Sequence, residues 1–226
     1  MPDTDQHHAR AIGEKLRAAR QEHNMTLREL ARRADISASM LSQIETGKAF
    51  PSVRSLYNIA AALNMAVDHF FPEQNNQPNK EGLASISAGD LTASEMRSAL
   101  LNRHIADTVE VTRSRASSPV VHADRRPTIK LNGGVTWARL TALAEKDIEF
   151  LEINYEPGAA SGVDMSHHSG REFGLILEGE LTIELGFESY TLKAGDSIIF
   201  ESTTPHRLSN KGPHCVRAIW VIFKVG

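Results

Sequence analysis

Ser39, Ser42 and Gln43 lie within one short stretch of this chain and carry its most specific chemistry. Hydroxyl and amide groups can hydrogen-bond the edges of DNA bases, glutamine most naturally with adenine. Leu41 and Ile44 alternate with them, so a helix over 38–45 would bury its apolar side and leave the polar one open. Thr46 and Lys48 follow at its end, where a hydroxyl, backbone amides and an ammonium could hold phosphate. A second set of reactive side chains comes much later. His168 and Glu172 share one run, and His206 lies near the end of the chain.

The surrounding residues explain how the first set would be positioned. A helical pattern carrying Leu27, Leu30, Ala31 and Ala34 breaks at Asp35-Ile36-Ser37. Ser37 is a good N-cap for the next helix, because its hydroxyl can accept a hydrogen bond from an orphan amide at the helix start. Gly47 suits the position just past its end, where a left-handed residue carries no Cβ penalty. Two short helices joined by a tight turn are the unit that places its second helix in the major groove. Alone, either helix would read equally well as half of an amphipathic hairpin with a solvated face. The neighbours decide against that. Ile12, Leu16 and Ala19 share one face of a helix over 11–22. Ser52 can cap another helix bearing Val53, Leu56, Ile59, Ala60 and Leu63, and a last turn over 68–71 ends at Pro72.

Residues 10–71 resemble the phage-repressor-like DNA-binding domains of the Cro/C1 or XRE type. The likeness is densest at Leu30-Ala31-Arg32-Arg33-Ala34, Leu41-Ser42-Gln43-Ile44-Glu45, Gly47-Lys48 and Pro51-Ser52. It implies that Ser37, Ala38, Ser39, Ser42 and Gln43 read bases, and that Thr26, Leu27, Thr46 and Lys48 meet the DNA backbone. Leu27 departs from the polar residue often found at its position. Arg20 and Glu45 resemble an internal ion pair between the first and third helices.

Composition sets the frame. The 226 residues are enough for one large or two ordinary domains, and 41% hydrophobic with 23% charged residues is ordinary for a water-soluble globular chain. No apolar run reaches the roughly 20 residues needed to span a bilayer, and the polar start lacks the apolar segment of a secretion signal. The single cysteine, Cys215, excludes an internal disulfide framework. Cytoplasmic location is the expectation, and packing the expected role of Cys215. Net charge is −3, so DNA affinity must come from a local surface: residues 26–54 hold five basic and three acidic side chains.

After Phe71 the texture changes. An Asn-, Gln- and Pro-rich stretch opens a connector expected over 73–118, with a helix over 90–105 inside it. From Val120 onward the chain reads as β, beginning with Val120-Val121 and continuing through runs at 128–131, 135–140 and 148–155. Further runs follow at 173–177, 181–185, 189–192, 197–200 and 216–224. Many short strands at even spacing argue for a sandwich or barrel. The expected organisation is an N-terminal tail over 1–9, an all-α helix-turn-helix domain over 10–72, the connector, and an all-β domain over 119–226.

Within the β region, Glu172 and Gly179 with six residues between them, then Gly195-Asp196 and His206 with Asn210, resemble the two motifs of the cupin superfamily of jelly-roll barrels. Full cupin sites hold a metal with His-x-His and Glu from the first motif and His from the second. Here Ser166 stands at the first ligand position, leaving His168, Glu172 and His206. Two imidazoles and a carboxylate with open positions would suit Fe(II), Zn²⁺ or Mn²⁺. The same pocket could instead hydrogen-bond an organic effector, with Ser166, His168, Arg171, Glu172 and His206 as its candidate contacts. Two functions follow. One is a regulator that binds a double-stranded operator as a homodimer and senses a small-molecule effector in its barrel. The other is an iron oxygenase, since a cupin-type epoxidase also joins such a barrel to a helix-turn-helix-like head. The base-reading face favours the regulator.

Overall fold

The computed structural model describes residues 3–72 and 120–224. The connector expected over 73–118, with its helix, lies outside the described residues. No helix among them is long and apolar enough to cross a membrane.

The head is a bundle of four helices: α1 Asp3–Glu22, α2 Leu27–Arg33, α3 Ala38–Glu45 and α4 Val53–Ala62, followed by a 3-10 turn over Val67–Phe70. Side-chain caps set the starts of three of them. Thr26 Oγ1 accepts from the amide of Glu29 at 3.2 Å, Ser37 Oγ from Met40 at 3.0 Å, and Ser52 Oγ from Ser55 at 3.1 Å. Gly47 has φ +69°, and a Cβ there would lie 2.8 Å from the Cα of Arg10, so both chirality and crowding demand glycine. Leu16, Leu30, Leu41, Ile44, Leu56, Ile59 and Leu63 are wholly buried and form the core. Arg20 bridges α1 to α3 through two bonds to Glu45, at 2.6 and 2.8 Å. α1 begins at Asp3, which corrects the tail expected over 1–9. Ala9, inside that stretch, is buried.

Among the described residues, nine strands make the barrel. They are β1 Thr128–Leu131, β2 Val135–Arg139, β3 Ile148–Tyr155, β4 Arg171–Glu178, β5 Glu180–Leu185, β6 Glu188–Lys193, β7 Ser197–Glu201, β8 His206–Ser209 and β9 Val216–Phe223. A six-stranded antiparallel sheet runs β1-β2-β3-β9-β4-β7 and a three-stranded one β6-β5-β8. Alternation decides which side chains enter. Leu151, Ile153 and Tyr155 of β3, and Val216, Ala218, Trp220 and Ile222 of β9, point inward and are buried.

Three expectations change here. Val120-Val121 forms no strand, because the chain turns over Ala123–Arg125 before β1. β8 was invisible to the apolar pattern, since its buried residues include His206 and Ser209. Cys215 is exposed on the turn before β9 and takes no part in packing.

The head and the barrel meet along α4. The Asn132 amide donates to Pro51 O at 2.9 Å. Arg54 forks between Asp35 of the head at 3.0 Å and Asp164 of the barrel at 2.9 Å. The Tyr57 hydroxyl donates to Glu149 at 2.9 Å, and Arg139 lies over the Phe71 ring.

Candidate DNA-reading face and metal-capable cavity

Helix α3 presents its polar side to solvent. Ser37, Ser39, Ser42 and Gln43 are exposed, as are Thr46 and Lys48 beyond the helix end. Ala38 is half-buried against the core, so only its small face remains open. Thr26 is exposed, with its oxygen already serving as the α2 cap. Leu27 packs partly against the head core, so its side chain does not serve a phosphate and only its amide at the α2 start could. Arg10 lines the same shallow surface as Thr46, Gly47 and Lys48. Sequence reading missed it because it sits on α1, far from the helix-turn-helix in sequence.

The barrel carries its polar groups inside. His168, Glu172 and His206 offer donor atoms that all lie within 4.8 Å of one another. Glu172 Oε1 stands 3.1 Å from Nε2 of His168 and 3.2 Å from Nε2 of His206, yet accepts no well-aligned hydrogen bond. Its other oxygen takes a 2.6 Å bond from the indole of Trp220. Room for that indole comes from Gly174, where a Cβ would sit 2.2 Å from the Trp220 ring. Nδ1 of His168 faces the carbonyl of Ser169 at 3.1 Å, and Nδ1 of His206 that of Thr204 at 2.9 Å. A carbonyl only accepts, so each imidazole holds a proton on Nδ1. In the neutral rings, both Nε2 lone pairs then converge on the Glu172 oxygen. Carbonyl-anchored imidazoles of this kind are how proteins orient metal-binding histidines. The orphaned Oε1 and the two converging nitrogens therefore fit a divalent cation.

Electrostatics agree with a charged Glu172. Burial alone would push its carboxyl up, but His168, His206 and Trp220 outweigh it and hold it below the usual range. Burial would lower His168, but the carboxylate of Glu172 more than offsets this and raises it. Burial, and then Glu149, keep the Tyr57 phenol well above its ordinary value, so it stays a donor. Burial also raises Asp68 to about 6, helped by the charge on Glu149.

Ser166 lines the cavity and is tied to His206 by paired backbone bonds of 2.8 and 2.9 Å. Arg171 does not reach it. Next in the strand to inward Glu172, it points out through the other face, pairs with Glu201 at 3.1 Å and leaves the candidate pocket. His167 is exposed, as alternation predicts. Sequence reading missed Val53 and Tyr57, which enter the cavity wall from the head. No periodicity could assign head residues to a barrel 100 positions away.

A helix-turn-helix head with an open polar helix, joined to a cupin barrel, defines a DNA-binding regulator. Comparison with known proteins agrees. A helix-turn-helix family model matches residues 16–70, and a cupin domain model matches 151–222. The HTH-type transcriptional regulator PuuR of Escherichia coli (strain K12) is 24% identical over 211 residues, covering 92% of each chain. A transcriptional regulator encoded in the ATPase CF(0) region of Rhodospirillum rubrum is 33% identical over 88 residues, 37% of this chain and 82% of the relative. The crystal structure of an HTH_3 family transcriptional regulator from Vibrio cholerae shares the fold, with TM-score 0.60 at 18% identity over 98% of this chain and 99% of that one. The chain belongs to the XRE-type helix-turn-helix transcriptional regulators that carry a C-terminal cupin domain.

Proposed function

We propose that this regulator reads its operator with Ser37, Ala38, Ser39, Ser42 and Gln43, meets the DNA backbone with Thr26, the amide of Leu27, Thr46 and Lys48, and tunes that affinity through an effector bound in the barrel. The observation that carries the reading is the opposition of the two sites. The α3 side chains stand open to solvent, while His168, Glu172 and His206 are turned toward the barrel interior. His168, Glu172 and His206 would hold a divalent metal, which would act there as an electrophilic anchor for an oxygen or nitrogen atom of the effector. Ser166 would orient that effector beside them. Such a protein works in the cytoplasm, where its DNA is.

Pairing of two copies is supported by the outer face of the large sheet. Phe150, Val221, Phe173 and Ile199 form one row across four strands, flanked by Phe223 and Leu175. Leu175 is 41% exposed, Ile199 56% and Phe223 46%, an apolar patch of the kind that marks an interface. Arg171 and Glu201 sit side by side at its corner. A two-fold mate can set each against the opposite charge, which favours a second copy as the occupant. Dimerisation through the barrel leaves both heads free to meet half-sites about 34 Å apart.

Gel-shift titration against the DNA upstream of its own gene tests the reading, with and without added Fe(II), Zn²⁺ or Mn²⁺. A retarded complex that competitor DNA does not remove is expected; no complex under any condition would overturn it. The facial set of two imidazoles and a carboxylate also supports an iron oxygenase. Fe(II)-loaded protein that consumes oxygen yet shifts no DNA would favour that alternative.

A further inference from the structure

The barrel cavity is not closed by the barrel. Its walls are completed by Val53 and Tyr57, both from helix α4 of the head. The Tyr57 ring lies flat on the imidazole of His168, with centroids 4.3 Å apart and planes 12° from parallel. Its edge meets Trp137 at 5.8 Å, and its hydroxyl is bound to buried Glu149, itself paired with Lys224 at 2.7 Å. Three contacts thus pin one aromatic ring over a candidate metal ligand.

Two spaces meet at that ring. Inside is the cavity holding the candidate ligands, about 30 Å³, enough for water-sized occupants only. Outside is an open groove of about 580 Å³ between α4 and the barrel rim, edged by Asn58, Asn64, Lys146, Asp147 and Lys224. Tyr57, His168 and Ile222 line both. The stacked pair of Tyr57 and His168 is therefore the partition between groove and cavity.

We propose that Tyr57 is a gate, and that the effector site is a composite of both domains: an outer vestibule under α4 and an inner chamber at His168, Glu172 and His206, joined when the Tyr57 ring swings aside. The ligand class this fits is a small polar molecule whose body rests among the amide and charged groups of the vestibule. Its narrow oxygen- or nitrogen-bearing end passes the gate. The chamber is too small for an organic molecule while the ring is in place, so occupancy displaces a side chain of the DNA-binding head itself. Helix α4 packs through Leu56 and Ile59 into the core that also holds Leu41 and Ile44 of the reading helix. Its displacement is thus felt by α3 without any relay through the connector. This rests on the reading of the barrel as the sensing domain.

The chain supplies its own reporter. Its two tryptophans, Trp137 and Trp220, both line the cavity beneath the gate and are 4% and 2% exposed. The decisive variant is Tyr57→Phe, which keeps the ring and its packing but loses the bond to Glu149. Two measurements on the full-length chain are needed: acrylamide quenching of tryptophan fluorescence, and the association rate of Co²⁺ followed by its visible absorption. Release of a bond to a carboxylate predicts a Co²⁺ association rate about tenfold above wild type and a higher quenching constant. Tyr57→Ala, with no ring to swing, sets the ceiling for both. A purely structural tyrosine leaves Tyr57→Phe at the wild-type values, and that result overturns the gate. Failure of Co²⁺ to bind any of the three proteins removes the metal reading alone, and quenching still decides the gate.

Discussion

The head turns its polar side chains outward along one helix, whereas the barrel gathers its own inward from separated strands. Ser39, Ser42 and Gln43 sit within five residues and are held by local devices, a serine cap before and a left-handed glycine after. His168, Glu172 and His206 span 39 positions and meet because the loop that leads into β4, carrying Ser166 and His168, pairs with the start of β8 and with Ser202 before it. The difference teaches where each function can be lost. The reading face fails when a local cap or contact fails; the cavity fails when long-range register or burial does.

The sharpest way to break that contrast is Arg20→Ala. It strands the carboxylate of Glu45, 5% exposed, beneath the reading helix. An uncompensated buried charge costs about 3–5 kcal/mol, so the melting temperature should drop steeply and operator binding with it. A variant that melts like wild type would show that the head is not held by this pair. Glu172→Gln comes next. Removing the charged member of the donor set should weaken Zn²⁺ binding at least roughly a hundredfold, measured by competition with a chromogenic chelator, because ligand loss exceeds the 10–100-fold typical of supporting residues. Metal-free DNA binding should stay within about twofold, since no reading residue moves.

Gln43→Ala addresses the head alone. Loss of a paired contact to a base costs about 1–3 kcal/mol, so specific operator affinity should fall while nonspecific binding and metal uptake do not change. Equal loss on all sequences would recast Gln43 as a backbone contact. The smallest effect concerns pH. Asp68 rises from 3.8 to about 6 in the folded chain, so between those values the folded state holds more protons than the unfolded. Its contribution to stability therefore falls as pH climbs from 4 to 6 and is flat above. Relative to wild type, Asp68→Asn should gain on the order of 1–2 kcal/mol at pH 7 and little at pH 4, read by urea titration.

Legibility followed the same division. The runs at 128–131 and 148–155 coincide with β1 and β3, because strict alternation reflects one buried face. The capped helices were equally plain, since Ser37 and Ser52 act within three residues of themselves. β8 was not visible, because it is four residues long and buries His206 and Ser209 where a core strand carries Val or Ile. Arg171 misled for a related reason: nearness in sequence to Glu172 places it on the opposite face. Tyr57 left no trace at all, as its partners lie 80 to 111 positions away on strands and a loop of another domain.

Arg54 has a consequence for how DNA binding by this chain will be measured. Its guanidinium clasps the turn before the reading helix with one nitrogen and the barrel loop with another, and both carboxylates are largely solvent-facing. Exposed pairs of this sort loosen as electrolyte rises, because the screening length shrinks to about 8 Å near physiological strength. A plot of log affinity against log salt will then combine counterions released from phosphate with slackening of this clasp. Counting phosphate contacts from the slope alone would overestimate them, and repeating the titration with Arg54→Met separates the two.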